Sequence, residues 1–572
     1  MHLKEVVMKK YFAALLILLF FAWPSFAADP NGYTALYECR AGGTHCNVDV
    51  VSLSQRECDQ KISASTPWSS INWSNNTICI EAGDHTSKGT LTIPSSASGN
   101  SGNYKVLRYY RAGDSNDEPW NQSAVNRAKI SKMSFSGNFW IIHRLTIDGS
   151  GVNNSATLIA GSNLILSRLL AQDYNSNILR FDDGGANKIL QNSVVRQSVK
   201  LANSDRHCIQ ISGTQVSIYI VNNEIYDCAG DGLQTSRGSV PRDLIIENND
   251  IYATSAMYCN SDGTPNVNGV RSASENALDI KEAGDDPALP LQAIHNRFWG
   301  FRSTSSNCGG SGSAGEAAIF HNNSSTVPGA TNKFGIFQNN IVWDGTKAFA
   351  APNATPERFS IIGNLIYDMT HQDGGPASAI DIGKAESTEV YLNTIIASIQ
   401  GIGLGSSDTN DARCNVVISS DTSSGTASQF SHNVYYDSSN ANEAIRIDIP
   451  VNTRTSVSAY SVGKIIRTST SSNCFTGTES ACFLYRVTRA GTSAPGEQSY
   501  CTTLGCTQQD GTMQLRAIRG PYSFYHKLRT SPERYTIPYA LVYAGATNIA
   551  ENAPEAYACP SDYNTRPGIG IN

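Results

Sequence analysis

Long apolar stretches are missing from almost all of this 572-residue chain. The one strong run, Tyr11 to Trp23, is shorter than the roughly 20 residues that a membrane-spanning helix needs. It follows Lys4, Lys9 and Lys10 and precedes a Ser-Phe-Ala cleavage pattern. This order predicts a signal peptide over residues 1–27 and a secreted or periplasmic mature protein without a membrane span. The alternative is a signal that is retained as a membrane anchor.

Charged residues are also scarce, at 16% of the chain against about a quarter in typical soluble proteins. The 49 acidic residues outnumber the 43 basic ones. Because nothing supplies a broad basic face, nucleic acid is excluded as a partner, and an anionic substrate would need a local cationic patch. Segments with helical periodicity are missing between the strand-like runs, which disfavours an α/β fold.

Cysteines are plentiful by comparison: there are 14, all beyond the predicted signal peptide. Their even number favours disulfides formed in an oxidising compartment. The close pair Cys501 and Cys506 lacks zinc-type ligands at the required spacing, so disulfides are favoured over a metal site.

A short repeat runs through the middle of the chain, and it consists of Asn, one variable residue and two apolar residues. Matches begin at Asn192, Asn223, Asn249, Asn296, Asn340, Asn364, Asn393 and Asn433. The closest matches are separated by about one coil of a β-solenoid. Alternating apolar runs between them predict short strands. We therefore expect each Asn at an inward bend, with its amide bonded to the equivalent Asn of the next coil.

The sequence thus predicts an all-β fold, a right-handed parallel β-helix with three sheets. An N-terminal cap is expected at residues 28–78, the β-helix at 79–440 and a cysteine-rich segment at 441–572. The N-terminal cap would cover the unpaired end of the solenoid. The C-terminal segment is either a second cap or an appended module. The protein is expected to be a monomer.

Two successive intervals between repeats are much longer than the others, from Asn249 to Asn296 and from Asn296 to Asn340. Adjacent long loops on one side of a solenoid form the walls of a groove. Cys259 and Cys308 lie one in each loop, so a disulfide between them is expected to join these walls. The alternative is a pair of unconstrained loops.

Polar side chains after the repeats fall into three outward-facing columns, because side chains alternate in and out along a strand. The columns contain His207, Asp231, Asn276 and Glu316; Gln210, Gln234, Asp279, Ile319 and Asp381; and Ser212, Ser236, Lys281 and His321. Strands stacked about 4.8 Å apart would let several of these carboxylates share a cation, and hard oxygen ligands favour Ca²⁺. The alternative is a solvated ladder in which Lys281 pairs with Glu275 or Asp279.

Two segments on successive coils resemble the β-helical polysaccharide lyases, especially the chondroitinase B and alginate lyase family. Glu275 to Lys281 resembles that family's acidic residue and catalytic lysine, and Gly315 to His321 resembles its Gly-Glu strand ending in Arg-His. The β-helical pectate lyases are the alternative relatives. Phe320 replaces the family's Arg, so the substitute is expected to be Arg271, Arg297 or Arg302.

The resemblance implies cleavage of an acidic, uronic-acid-containing polysaccharide by β-elimination. Lys281 would remove the C5 proton, His321 would act as the acid or contact O4, and Arg271 would hold a flanking carboxylate. The residues expected to bind substrate are His207, Arg237 and Arg302. Ca²⁺ would neutralise the uronate carboxylate, held by Asp231, Glu275, Asp279 and Glu316.

Two other classes of function remain open. A glycoside hydrolase on the same scaffold would use paired carboxylates, for which Asp231 and Asp279 are the candidates. A non-catalytic glycan-binding or adhesin solenoid would present aromatic platforms in the groove. The aromatic residues available fall at repeat positions where packing explains them: Tyr226, Trp299, Trp343 and Tyr367.

Overall fold

The structure is a computed structural model, and it describes parts of the chain between residues 56 and 519. The described ranges are 56–110, 127–150, 155–182, 185–198, 206–213, 216–238, 241–258, 274–281, 289–302, 315–321, 333–352, 357–369, 378–383, 388–405, 410–413, 415–421, 430–431, 434–437, 445–447, 451–453, 455–460, 465–467, 483–496, 498–500 and 506–519. They form two compact units, the first reaching Phe359 and the second beginning at Ser360.

The first unit is a right-handed parallel β-helix, as the sequence predicts. Its coils each contribute one strand to each of three parallel sheets. The first sheet contains Gln60–Ile62, Thr77–Glu81, Lys105–Tyr110, Trp140–His143, Leu164–Ser167, Lys188–Gln191, Val216–Val221, Arg242–Glu247, Leu291–Ile294 and Lys333–Gln338.

The second sheet follows the Asn bend of each coil. It contains Gly83–Asp84, Ala128–Ile130, Thr146–Asp148, Leu170–Tyr174, Val194–Ser198, Glu224–Cys228, Asp250–Tyr252, Arg297–Trp299 and Ile341–Trp343. The third sheet contains Thr90–Ile93, Lys132–Phe135, Thr157–Ile159, Leu179–Phe181, Ile209–Ile211, Leu233–Thr235, Leu278–Ile280, Glu316–Phe320 and Lys347–Ala350. Short 3-10 turns lie at Trp68–Ser70, Thr86–Lys88, Ser95–Ala97 and Ser255–Met257.

The core of the first unit is built from like residues stacked on successive strands. Ile141, Ile165 and Ile189 are aligned in register across three neighbouring strands of the first sheet. All three are buried. Because the register brings branched apolar side chains directly over one another, each added coil extends the same apolar column.

The predicted Asn ladder is confirmed within the first unit. Asn223 donates from Nδ2 to Oδ1 of Asn249 over 3.0 Å, Asn249 donates in the same way to Asn296 over 3.0 Å, and Asn296 donates to Asn340 over 3.2 Å. All four are buried. Each amide also bonds to backbone groups of neighbouring coils, which satisfies the bend without water.

One position of the predicted repeat differs in the structure, and one residue of the ladder was not predicted. Asn192 is out of register by one residue, because Ser193 pairs with the ladder position and donates its backbone N to Asn223 Oδ1 over 2.9 Å. In the second unit, Asn393 donates to Asn415, a ladder residue absent from the predicted set. Asn433 lies outside the described residues.

The second unit begins with parallel strands and ends in a small, mostly antiparallel sheet. The strand Glu357–Ile362 contains the boundary, and further strands are Leu365–Tyr367, Ser378–Ile382, Glu389–Tyr391, Thr394–Leu404, Asp411–Arg413, Val416–Asp421, Phe430–Ser431 and Val434–Asp437. Ile445–Ile447 then pairs antiparallel with Val434–Asp437.

The small sheet of the second unit has five strands and its own core. Its strands are Val451–Thr453, Ile465–Arg467, Phe483–Arg489, Met513–Arg519 and Thr507–Asp510, accompanied by a two-stranded pair of Ala459–Tyr460 and Gly491–Thr492. Its core contains Ile466, Tyr485, Val487, Tyr500, Met513 and Leu515. The predicted domain boundaries at residues 78 and 440 stay predictions.

The described part of the first unit contains the disulfides Cys58–Cys79 and Cys208–Cys228. They agree with the oxidising compartment inferred from cysteine number. The expected Cys259–Cys308 pair lies outside the described residues, as does the predicted signal peptide. None of the helices in the described part of the chain is long and apolar enough to cross a membrane.

Candidate active site

The middle column of the third sheet has the register that the sequence predicts. Gln210 pairs with Gln234, Gln234 with Asp279 and Asp279 with Ile319 on successive strands. The strand neighbours of Asp279 are completely buried apolar residues, Leu278 and Ile280. Since side chains alternate along a strand, the column points away from the solenoid core.

Asp231 is a fully buried carboxylate that the surrounding side chains hold in place. Its Oδ1 accepts a hydrogen bond from Asn276 Nδ2 over 2.8 Å, and its Oδ2 lies 3.1 Å from both His207 Nδ1 and Gln234 Nε2. Burial by itself would raise the pKa of Asp231, but the hydrogen bond and charge of His207 lower this pKa below its ordinary value. Asp231 therefore carries a negative charge near neutral pH.

Asp279 is the second buried carboxyl group, and its environment is different. Its Oδ2 contacts Lys281 Nζ and accepts a hydrogen bond from Gln234 Nε2 over 3.2 Å. Its Oδ1 is buried without a hydrogen-bond partner among the described residues. Burial and the charge of Asp231 raise the pKa of Asp279 to about 7, against the lowering effect of Lys281. A substantial fraction of Asp279 is thus protonated at neutral pH.

Lys281 and His321 lie on the same face of the third sheet, on neighbouring strands. Lys281 contacts Oδ2 of Asp279, and His321 Nε2 lies 3.5 Å from Oδ1 of the same carboxyl group. Burial and the charge of Lys281 lower the pKa of His321 to about 4, so its imidazole is neutral at neutral pH. The structure therefore brings together one amine, one neutral imidazole and one carboxyl group.

The remaining acidic residues of the predicted site are buried close by. Glu275 donates its backbone N to Gly230 O over 2.8 Å, and Glu316 donates its backbone N to Asn276 Oδ1 over 3.1 Å. Both side chains belong to residues that are at most 5% exposed. Glu275 directly precedes Asn276 in the chain, and Glu316 begins the next strand of the third sheet.

The predicted substrate-binding arginines have different surroundings. Arg237 is exposed just after the strand that contains Gln234. Arg302 follows a strand of the second sheet, where its NH2 lies 2.6 Å from Asp344 Oδ1 and its guanidinium lies 4.1 Å from the centre of the Tyr258 ring. Arg271 lies outside the described residues.

The residues predicted to bind Ca²⁺ do not form a suitable ligand group. Within the described ranges, no three His, Cys, Asp or Glu residues are arranged to hold a metal ion. Both oxygens of Asp231 are engaged by amide and imidazole nitrogens, and the ammonium of Lys281 lies against Asp279. The calcium ion remains a prediction, and its proposed ligands do not fit it in this arrangement.

Gln234 and Asn276 are important members of the site to which the sequence did not assign a role. Gln234 Nε2 donates to both carboxyl groups, and Asn276 joins Asp231 to the backbone of Glu316. Their positions in the outward columns were the only available signal. The sequence pattern could not distinguish an amide that orients carboxylates from an amide that faces solvent.

An aromatic column on the second sheet is explained by packing. The ring centres of Tyr226 and Tyr252 are 4.8 Å apart, those of Tyr252 and Trp299 are 4.1 Å apart, and those of Trp299 and Trp343 are 4.6 Å apart. Because stacked rings cover one another's faces, Tyr252 and Trp299 present only edges to solvent. This arrangement agrees with the sequence-based interpretation and does not provide the flat platform that sugar binding requires.

No protein-family model and no curated protein matches this chain. Similar solved structures include a mannuronic-acid-specific polysaccharide family 6 lyase from the human gut microbiota, which is 11% identical with a TM-score of 0.40 and covers 66% of this chain and 86% of its own. The A-module of mannuronan C-5 epimerase AlgE6 from Azotobacter vinelandii is 12% identical with a TM-score of 0.34, covering 63% and 90% respectively. No activity of this chain is inferred from these similarities.

Proposed function

We propose that this chain is an exported polysaccharide lyase that cleaves a uronic-acid-containing polymer by β-elimination. The observation that supports this proposal most strongly is that Lys281 and His321 both lie against the carboxyl group of Asp279. A base, a neutral hydrogen-bond donor and a protonatable acid on one outward sheet face are groups that together can remove a C5 proton.

Lys281 is the proposed base. Its Nζ accepts the C5 proton, the electron pair forms the C4–C5 double bond, and the C4–O4 bond breaks. The proton can then return from Lys281 to O4, so that the amine is regenerated. Lys281 must be neutral before it accepts this proton. Asp279 contributes by taking up the ammonium proton within their contact.

Asp279 in its acid form also favours binding of the substrate. Because its carboxyl group is then neutral, it does not repel a uronate carboxylate that lies beside Lys281 and His321. No step of this mechanism depends on a metal ion.

His321 is the proposed contact to O4. Because its pKa is lowered to about 4, the imidazole donates a hydrogen bond in its neutral form and does not transfer a proton as an imidazolium. A hydrogen bond to O4 stabilises the negative charge that develops as the C4–O4 bond breaks.

A glycoside hydrolase is the second candidate, because Asp231 and Asp279 are neighbouring carboxyl groups with pKa values shifted in opposite directions. The burial of Asp231 argues against this function. Asp231 is 0% exposed, and both of its oxygens are already hydrogen-bonded. A glycosidase carboxylate must reach the anomeric carbon or the attacking water, and Asp231 reaches neither.

The test is incubation of the mature protein with alginate, pectate, chondroitin sulfate and dermatan sulfate, each with and without a chelator. With one of these four polymers, we expect ultraviolet absorbance to rise as the C4–C5 unsaturated product forms. New reducing ends without that absorbance would support the hydrolase instead. Loss of activity on chelation would support the calcium prediction, whereas retained activity would support the metal-free mechanism.

A further inference from the structure

We propose that Arg180 and Gln210 form a binding subsite for the carboxylate of a second uronate residue, remote from the bond that is cleaved. This inference rests on the proposed function and extends it: the substrate would be an anionic chain of several sugars that lies across the strands of the third sheet. The sequence assigned no role to Arg180, and it placed Gln210 in an outward column without assigning it a role.

The register places Arg180 on the same outward column as the candidate catalytic residues. Arg180 pairs with Gln210, Gln210 with Gln234 and Gln234 with Asp279. Three strand spacings separate Arg180 from Asp279, which amounts to about 14 Å. A pyranose in an extended 1,4-linked chain advances by a distance similar to one strand spacing, so Arg180 is aligned with a sugar a few residues from the cleaved bond.

The polarity of the column indicates the direction in which an anionic chain extends. Beyond Asp279 the column continues with Ile319 and then Ala350, which are both buried and apolar. On the other side it continues through two amides to a guanidinium. Charged sugars therefore find hydrogen-bond donors only on the side of Gln210 and Arg180 along this column.

Arg180 has unused hydrogen-bonding capacity. Its side chain is 41% exposed, and its NH2 donates to Asp182 Oδ1 over 2.9 Å. Its Nε is buried and is therefore not available to a ligand. Because NH1 and NH2 together offer four donors and Asp182 accepts from NH2 alone, the guanidinium keeps further donors for a carboxylate.

Gln210 is oriented so that it adds a donor beside this guanidinium. Its Oε1 accepts a hydrogen bond from Asn177 Nδ2 over 2.7 Å. Asn177 is fixed in turn, because its Oδ1 accepts from the backbone N of His207 over 2.8 Å. With its oxygen engaged, Gln210 keeps Nε2 as its hydrogen-bond donor, and the register places it on the strand next to Arg180. A guanidinium and an amide donor side by side suit an anion.

The test compares R180Q with R413Q as the matched control. Arg413 also pairs with an aspartate two residues away, Asp411, and its side chain is equally exposed at 41%, but it lies on the first sheet. For long oligouronides, R180Q should raise KM by about 10-fold at unchanged kcat, the effect of losing one charged hydrogen-bond contact. Oligomers too short to reach Arg180 should show no change, R180K should restore part of the loss, and R413Q should behave as wild type.

A second measurement separates failure of this subsite from failure of the proposed function. Calorimetric binding of long oligouronides to K281M and to K281M/R180Q does not depend on cleavage. Weaker binding to the double variant supports the subsite even if no polymer yields an unsaturated product. Equal binding to both proteins, or an R180Q effect that is the same at every oligomer length, would overturn it.

Discussion

Single side chains decide the chemistry of the third sheet, and Gln234 illustrates how. Its one amide nitrogen donates to Asp231 and to Asp279 and so joins the two carboxyl groups. Burial and the charge of Asp231 raise the pKa of Asp279, whereas the pKa of Asp231 lies below its ordinary value. Asp231 is therefore ionised near neutral pH, whereas Asp279 can take up a proton there.

Replacement of Lys281 by Met is expected to lower the rate of elimination by about 10²-fold or more, because it removes the proposed general base. The absorbance of the unsaturated product measures this rate, and near-ultraviolet circular dichroism verifies the fold. K129M is the matched control: Lys129 forms a comparable pair with Asp148, over 3.1 Å, on the second sheet. Equal activity of K281M and K129M would contradict the assignment of Lys281.

The pH dependence of stability should carry two opposing contributions. The pKa of Asp279 is raised from 3.8 to about 7 in the folded protein, so its contribution is present at low pH and is lost as pH rises toward 7. The pKa of His321 is lowered from 6.5 to about 4, so its contribution is present above pH 6.5 and is lost as pH falls toward 4. In the wild-type protein the two slopes partly cancel.

Variants at these two residues should reveal each slope separately. Between pH 4 and 6.5, the free energy of unfolding of D279N should rise with pH, because the His321 contribution remains. That of H321Q should fall between pH 4 and 7, because the Asp279 contribution remains. Urea unfolding at a series of pH values measures both. Parallel profiles for the two variants would show that one of the pKa directions is wrong.

The outward columns could be predicted at the residue scale because strand alternation has a period of two. The alignment correctly placed Lys281 beside His321 and Asp231 near Asp279. What the alignment lacked was the direction and length of each side chain. These decide that Lys281 contacts Asp279, and that amide and imidazole nitrogens contact Asp231.

At the scale of elements, the Asn bends join the first sheet to the second. Asn296 shows why the bend is restrictive: its Oδ1 accepts from the backbone N of Asn249 over 2.9 Å, and its Nδ2 donates to Ile246 O over 2.8 Å. Both partners are 0% exposed. An amide is the side chain that offers a donor and an acceptor at this length.

Replacement of Asn296 by Ala should lower the free energy of unfolding by about 3 kcal/mol, because a buried N–H and a buried C=O lose their partners. Chemical denaturation measures this change. Asn76→Ala is the control, since Asn76 is exposed and lies outside the ladder. A loss no greater than that of the control would mean that the ladder contributes little to stability.

The repeat made these bends predictable, but its register was not fully determined. Asn192 and Ser193 are both polar residues that could occupy the ladder position at this turn, and the repeat pattern predicted Asn192. The structure instead places Ser193 at the ladder position and Asn192 at a backbone φ of 50°. Asn tolerates this left-handed conformation better than most residues, which explains the one-residue shift.

At the scale of the whole molecule, the disulfides Cys58–Cys79 and Cys208–Cys228 have different relations to the site. Cys58–Cys79 joins a residue just before the strand Gln60–Ile62 to the next strand of the first sheet, Thr77–Glu81. Both cysteines are about 200 residues before Lys281 in the chain. Cys208–Cys228 is adjacent to the site, because Cys208 follows His207 and its backbone N donates to Asp231 O over 3.1 Å. The connectivity could not be predicted, since sequence spacing does not reveal which coils are neighbours.

Replacement of Cys208 and Cys228 by Ala should lower the free energy of unfolding by about 3 kcal/mol, the loop-closure value for a bridge of this span. It should also reduce elimination, because the neighbouring contact between His207 and Asp231 loosens. The double replacement of Cys58 and Cys79 spans a similar loop of 21 residues, against 20, and should destabilise equally while sparing activity. Identical activity losses in the two variants would contradict this distinction.

The position of the Cys208–Cys228 bridge has a consequence for the timing of maturation. Thiols stay reduced in the cytosol. A freshly synthesised chain would therefore lack the crosslink beside His207 until it meets an oxidant. On the predicted export route, the segment that holds His207 against Asp231 would gain this crosslink only after translocation.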